Sequence, residues 1–194
     1  FGAVGSFSFS APKIITTGQG GALVTDRADL YEAIIQIRDF GRKKPGVDEY
    51  VSLGYNMKFT DIQAVIGIEQ MKKLEERVER KKSIYRCYFK NLEHVPYVRF
   101  IRTDLNDTPP WFIDVLVEDR EALAEYLNQN KIGSRPFYPP VHTQSPYNNL
   151  YPSHDFPVAT DISKRGLWLP SSSFLSEEDI NFISQTIEAF YANK

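Results

Sequence analysis

Charge of one sign, paired cysteines and long apolar runs are all missing from this 194-residue sequence. Lys and Arg number 23 against 25 Asp and Glu, a formal net charge of −2, so no global field draws the chain to nucleic acid or to an anionic membrane surface. The single cysteine, Cys87, excludes an intramolecular disulfide, and no Cys/His cluster has metal-ligand spacing. Cys87 reads as a packed thiol on a helix, and a reducing cytoplasm is the expected location. No apolar run approaches the roughly 20 residues that cross a bilayer, and no basic segment followed by an apolar one opens the chain, so neither a span nor a signal is expected. Repeats and low-complexity stretches are absent as well. The remaining composition, 42% apolar and 25% charged, is that of a globular chain able to bury a core.

The chemistry-bearing stretch comes first: Phe7-Ser8-Phe9-Ser10-Ala11-Pro12-Lys13-Ile14-Ile15-Thr16-Thr17-Gly18-Gln19-Gly20-Gly21. One lysine stands between a segment rich in aromatics and hydroxyls and a glycine-rich turn. A lone loop lysine is ordinarily solvated, and a glycine turn between strands is ordinary hairpin punctuation. Together they suggest more, because partial desolvation makes a lysine amine nucleophilic toward carbonyls. Pyridoxal phosphate needs such an amine, with hydroxyl and backbone donors for its phosphate. Ser8 supplies a hydroxyl five residues before Lys13.

A second stretch reads Gly54-Tyr55-Asn56-Met57-Lys58-Phe59-Thr60-Asp61-Ile62-Gln63-Ala64. The two stretches, in this order, resemble the Schiff-base segment and the Gly-Tyr-Asn-Tyr-Arg-Met-Thr-Asp-Ile-Gln-Ala segment of the DegT/DnrJ/EryC1/StrS family of sugar aminotransferases. Gln19 stands where that family carries an acid, which removes a charge, and Phe40-Gly41 stands where it often has His-Gly. The resemblance implies an α/β chain of the fold-type I transferase class, with the end of the large α/β domain over residues 1–92 and a small α+β domain over 93–194. It implies Lys13 as the Schiff-base lysine and general acid–base, with pyridoxal 5'-phosphate as cofactor. Ser8 and Asn56 become phosphate ligands, Asn56 reaching the other subunit's site in a homodimer. The implied substrates are a nucleotide-linked 4-keto-6-deoxy sugar and an amino donor, glutamate.

The resemblance spans this whole chain but about half of a family member, so the sequence is expected to be a C-terminal part. The acid for the pyridinium nitrogen, the group stacked on the ring and the phosphate loop lie in the family before the lysine strand. The isolated chain is therefore expected to leave the site incomplete.

Local patterning sets the elements. Val4 to Phe9 and Gly21 to Thr25 read as paired strands, Asp26 as the cap of a helix ending at Gly41, and 42–53 as a loop whose Arg42-Lys43-Lys44 is either solvated or aimed at a diphosphate. Thr60 with Gln63 has capping-box spacing, with Ile62, Val65, Ile66 and Ile68 following. Met71 to Phe89 reads as a long charged helix. Val95 to Arg102 and Trp111 to Val117 read as strands, Asp119 as the cap of Arg120 to Asn130, Phe156 to Gly166 as a short helix, and Ser176 with Asp179 as the opening of the last helix.

Between them lies Ile132-Gly133-Ser134-Arg135-Pro136-Phe137-Tyr138-Pro139-Pro140-Val141-His142, resembling the family's Ile-x-x-Arg-x-x-Phe-x-Pro-x-His segment. Its prolines stiffen a loop that presents Arg135, Tyr138 and His142, which the resemblance places as substrate contacts. Leu167 to Ser172 resembles the family's Leu-Pro-Ser turn, and His94 and His154 read as structural or exposed. Two rivals remain: a sugar 3-dehydratase of the same family, some of which carry His in place of the lysine, and a non-catalytic dimerisation or regulatory module built on the long helix.

Overall fold

Alternating Gly5–Ser8 (β1) and Gly21–Val24 (β2) pair antiparallel in the computed structural model, with Gly5 opposite Val24 and Ser8 opposite Gly21. The structure describes residues 2–148, 150 and 156–192. His154 lies outside them. The chain divides into two compact units, Phe1–Glu75 and Glu76–Lys194.

In the first unit the hairpin is followed by α1 (Ala28–Arg38) and α2 (Asp61–Met71). The N-cap of α1 is Arg27 without a side-chain cap, not Asp26, although the Thr25 hydroxyl accepts from the Arg27 N–H at 3.2 Å. α1 stops at Asp39 because Phe40 and Gly41 both turn to positive φ, 60° and 75°. The Gly41 N–H then bonds back to the Gln36 carbonyl at 2.8 Å, closing the helix end. α2 opens with the expected reciprocal box between Thr60 and Gln63. Its apolar residues Ile62, Val65, Ile66 and Ile68 are exposed, and neither helix contains a buried residue.

The second unit holds the core. It contains α3 (Leu74–Leu92, beginning at the unit boundary), β3 (Val98–Phe100), β4 (Ile113–Val117), α4 (Arg120–Gln129), β5 (Arg135–Pro136), a single 3-10 turn at Val141–Thr143, α5 (Pro157–Arg165), β6 (Gly166–Leu169) and α6 (Glu177–Ala192). The strands form one antiparallel sheet in the order β3-β4-β6-β5. Alternation turns Ile113, Val115 and Val117 of β4 with Leu167 and Leu169 of β6 into a cluster with Ile84, Tyr88 and Leu92 of α3, Leu123 and Leu127 of α4, and Ile180, Ile183 and Ile187 of α6. Each fully buried side chain of this kind contributes about 1.5–3 kcal/mol.

The long helix therefore packs with the small sheet, where the reading from sequence set the division after residue 92. Its cations bind the segment after β6: Arg80 donates to the carbonyls of Ser173 and Leu175, Lys81 to that of Ser171, and the Tyr88 hydroxyl to that of Pro170 at 3.0 Å. Two further differences from expectation are local. Leu167 to Leu169 is a buried central strand, not a turn, and Asp119 precedes α4 in the left-handed conformation (φ 49°) without a side-chain cap. Among the described residues no helix is long and apolar enough to cross a membrane.

Candidate active site

Lys13 sits on the 12-residue connection between β1 and β2, which a ladder of hydrogen bonds closes. The Phe9 N–H donates to the Gly20 carbonyl at 2.8 Å, and the Phe9 carbonyl accepts the Thr17 N–H and the Thr16 hydroxyl, both at 3.0 Å. The Lys13 N–H donates to the Ser10 carbonyl at 3.1 Å, making a turn through Pro12 that leaves the lysine half-buried. The Ser8 and Ser10 hydroxyls lie 3.1 Å apart at the end of β1. Glycine is required at position 20, where φ is 137° and a Cβ would come within 2.5 Å of the Phe59 ring.

α2 braces this loop from below. Thr17, the one buried side chain of the loop, meets Gly67 closely enough that a Cβ there would lie 3.1 Å from its methyl group. The Gln63 side chain does two things at once: its carbonyl oxygen accepts the Thr60 N–H at 3.0 Å, and its amide donates to the Gln19 carbonyl at 2.8 Å. The second bond was not legible in the sequence, where the capping box already accounted for Gln63. Position 19 serves here through its backbone, since the Thr17 hydroxyl also donates to the Gln19 carbonyl, at 2.8 Å. An amide in place of an acid on the side chain leaves both bonds intact.

Asn56 is held by the end of α1. The Tyr55 N–H donates to the Ile37 carbonyl at 2.7 Å, the Met57 N–H to that of Arg38 at 3.0 Å, and the Phe40 N–H to that of Tyr55 at 3.1 Å. The backbones approach so closely that a Cβ on Gly54 would stand 2.0 Å from the Gly41 nitrogen. Lys58 adds a clamp, its ammonium 3.0 Å from Asp39 and 4.2 Å above the Phe40 ring. The Lys58 hydrogen bond, partly opposed by desolvation and helped by the charges of Lys58, Arg42 and Arg38, holds the Asp39 carboxyl below its ordinary range. Asn56 itself is exposed, and its amide makes no hydrogen bond among the described residues. The basic trio that follows Gly41 is largely committed within its own loop, Arg42 to Asp39 and Asp48, Lys43 to Glu49 at 2.9 Å.

In the second unit Arg135 and Tyr138 come together. The Arg135 guanidinium lies 5.0 Å from the Tyr138 ring and 5.6 Å from that of Trp168, its partner across β5 and β6. His142 is 7% exposed, stacked on Phe156 at 4.8 Å, with Nε2 3.4 Å from the Thr160 hydroxyl. That hydroxyl already donates to the Phe156 carbonyl, so its oxygen is left to accept from the imidazole N–H.

A hairpin whose connection presents one half-buried lysine, followed by a helix bracing that connection and a small antiparallel α+β unit, defines the class: the lysine-bearing and C-terminal portion of a fold-type I transferase. The profile of the DegT/DnrJ/EryC1/StrS aminotransferase family matches residues 1–188, and the chain belongs to that family. GDP-perosamine synthase of Escherichia coli O157:H7 is 34% identical over 197 residues, covering 100% of this chain and 53% of the relative. A transaminase of Campylobacter jejuni named for UDP-4-amino-4,6-dideoxy-N-acetyl-beta-L-altrosamine is 30% identical over 93% of the chain and 50% of the relative. The crystal structure of a DegT DnrJ EryC1 StrS aminotransferase from Brucella abortus superposes with a TM-score of 0.88 at 29% identity, over 98% of this chain and 51% of that one. The chain thus spans about half the length of the relatives it matches.

Proposed function

We propose that the protein is a pyridoxal-phosphate-dependent aminotransferase that moves an amino group from glutamate to a nucleotide-linked 4-keto-6-deoxy sugar in the cytoplasm. The observation carrying this reading is Lys13, half-buried on a loop fixed at both ends, in the same hairpin as two serine hydroxyls 3.1 Å apart. That donor set, one amine and a hydroxyl pair, fits a phosphorylated aldehyde. The relatives' names supply the substrate class.

Pyridoxal phosphate, when bound, supplies a carbonyl and an electron-withdrawing ring that carry nitrogen between two substrates. Lys13 Nζ would hold that carbonyl and would serve as the base and acid that moves a proton at the substrate carbon. The Ser8 hydroxyl donates to phosphate. Asn56, exposed and held through its backbone, serves the phosphate of a second copy, so that sites are shared in a homodimer. Arg135 and Tyr138 face the substrate, and His142 supports their loop from its buried place against Phe156.

Borohydride reduction in the presence of pyridoxal phosphate, read by peptide mass, tests the assignment. A covalent adduct on the Lys13 peptide, lost in Lys13→Ala, is the expected result, and a protein that retains the cofactor without any adduct there would overturn it. Sharing is tested by mixing Lys13→Ala with Asn56→Ala subunits. Hybrid dimers carry one intact site, so the mixture regains activity toward roughly a quarter of the parent's, whereas sites built within one subunit regain none.

A further inference from the structure

An open cavity of about 440 Å³ in the second unit is lined, among the described residues, by Arg120, Arg135 and Lys164 with Tyr138 and Ser163, and by no carboxylate. Its volume falls within the roughly 300–1,000 Å³ of small-molecule sites. Three cations come from three elements: the first turn of α4, β5 and the end of α5. Like charges gathered around one hollow repel one another, and an anion seated among them removes that repulsion.

The groups nearby leave this charge only partly answered. Arg120 donates to the Ser163 carbonyl and to Glu121, which stands outside the lining, while its buried Nε has no acceptor among the described residues. Asp161 is engaged by Arg165 through both carboxylate oxygens. The Ser163 hydroxyl donates to the Tyr138 carbonyl at 3.0 Å, which fixes the aromatic wall against α5. Among the described residues Arg135 meets no carboxylate either. Its guanidinium lies against the rings of Tyr138 and Trp168, which meet edge to face 4.9 Å apart, an arrangement that orients it while leaving its N–H fork for phosphate oxygens. Tyr138 is 56% exposed and offers a ring beside the cations.

We propose that this cavity takes the diphosphate of a nucleoside diphosphate, with Arg135 and Lys164 on the phosphate oxygens, Arg120 behind them and Tyr138 beside the nucleoside. The ligand class rests on the reading of the protein as a nucleotide-sugar enzyme, and it adds Arg120 and Lys164 as binding residues. The handle held here is the part of the substrate that does not react, so its contacts govern affinity.

Calorimetric titration of the intact holoenzyme with uridine diphosphate, guanosine diphosphate and inorganic pyrophosphate tests the site. One nucleotide is expected to bind, more weakly as salt rises, and pyrophosphate to compete with it. Arg135→Gln weakens binding about tenfold or more and Lys164→Gln about three- to tenfold, as loss of charge-assisted hydrogen bonds requires. Lys90→Gln, an exposed change of equal charge elsewhere, binds as the parent does. Lys164 is exposed, so its variant is free of any folding defect that removal of the stacked Arg135 brings. Unchanged nucleotide affinity in both Arg135→Gln and Lys164→Gln overturns the proposal. So does a parent that binds neither nucleotide while accepting an amino group from glutamate, a half-reaction that needs no nucleotide; failure of that half-reaction instead overturns the aminotransferase reading.

Discussion

Two helices of this chain open with the same reciprocal hydroxyl cap and come to rest in opposite surroundings. On α2, behind Thr60, Ile62 is 77% exposed; on α6, behind Ser176, Ile180 is 1% exposed. The contrast extends to the two units. Glu76–Lys194 is ordered by burial, around a cluster drawn from three helices and three strands, while Phe1–Glu75 is ordered by hydrogen bonds and, among the described residues, buries no large apolar side chain. The proposed site residues fall mainly in the second kind of construction: Lys13, Ser8 and Asn56 are all positioned by backbone ladders and close glycine contacts. Such loops hold donors in place without a core of their own, and their apolar helix faces call for a cover.

The largest effect that sharpens the contrast is catalytic. Lys13→Ala lowers amino transfer by at least about 10³-fold and leaves the thermal transition of the second unit where it was, as followed by near-ultraviolet circular dichroism. Next come core deletions. Leu123→Ala, at a fully buried site, costs about 2–5 kcal/mol in urea unfolding. Ile62→Ala on the same chain stays within about 0.5 kcal/mol, and an equal cost at both sites would break the comparison.

Smaller still is Gln63→Glu, which keeps the cap oxygen of α2 but loses the N–H that holds Gln19. It costs about 1 kcal/mol, seen as faster hydrogen exchange confined to residues 17–20. The smallest effect is a difference of sign in acid. Asp39, held low by Lys58, contributes stability that is complete above the ordinary carboxylate value and lost as pH falls through its depressed one. Asp114 is pushed up by burial, against the pull of the Trp168 indole N–H, so protonation on acidification relieves a cost in the second unit. Carboxyl titration by NMR, with Lys58→Met raising the Asp39 value and leaving Asp114 alone, checks both directions.

The hairpin, the capping boxes at Thr60 and Ser176, and the strand at Trp111 to Val117 were legible because each is written in short-range chemistry: alternation, a hydroxyl three residues before its partner, or a run of β-branched residues. β6 was not, because Leu167-Trp168-Leu169 is brief and ends on Pro170, and only pairing with both β4 and β5 makes it a strand. Capping at Asp26 failed because α1 starts one residue later, with Arg27 as its N-cap, and Asp119, though it is the N-cap residue of α4, stands in the left-handed conformation and makes no side-chain cap bond. In the candidate site, Lys13 and Ser8 were readable as a pattern. The brace from Gln63 to Gln19, 44 residues apart, and the joining of Arg120 to Lys164 around one cavity exist only in three dimensions.

The double glycine contact at the foot of the 42–53 loop also bears on how this chain tolerates change in length. A Cβ on Gly41 would stand 1.9 Å from the Ser52 carbonyl oxygen, whereas one on Gly46 at the tip would meet nothing within 4 Å. Inserted residues at the foot would pry Asn56 from α1, while residues added around Pro45-Gly46 extend into open space at little entropic cost. Natural or engineered length variation in this segment is therefore channelled to its tip, and the reach of Asn56 stays constant while the loop beyond it grows or shrinks.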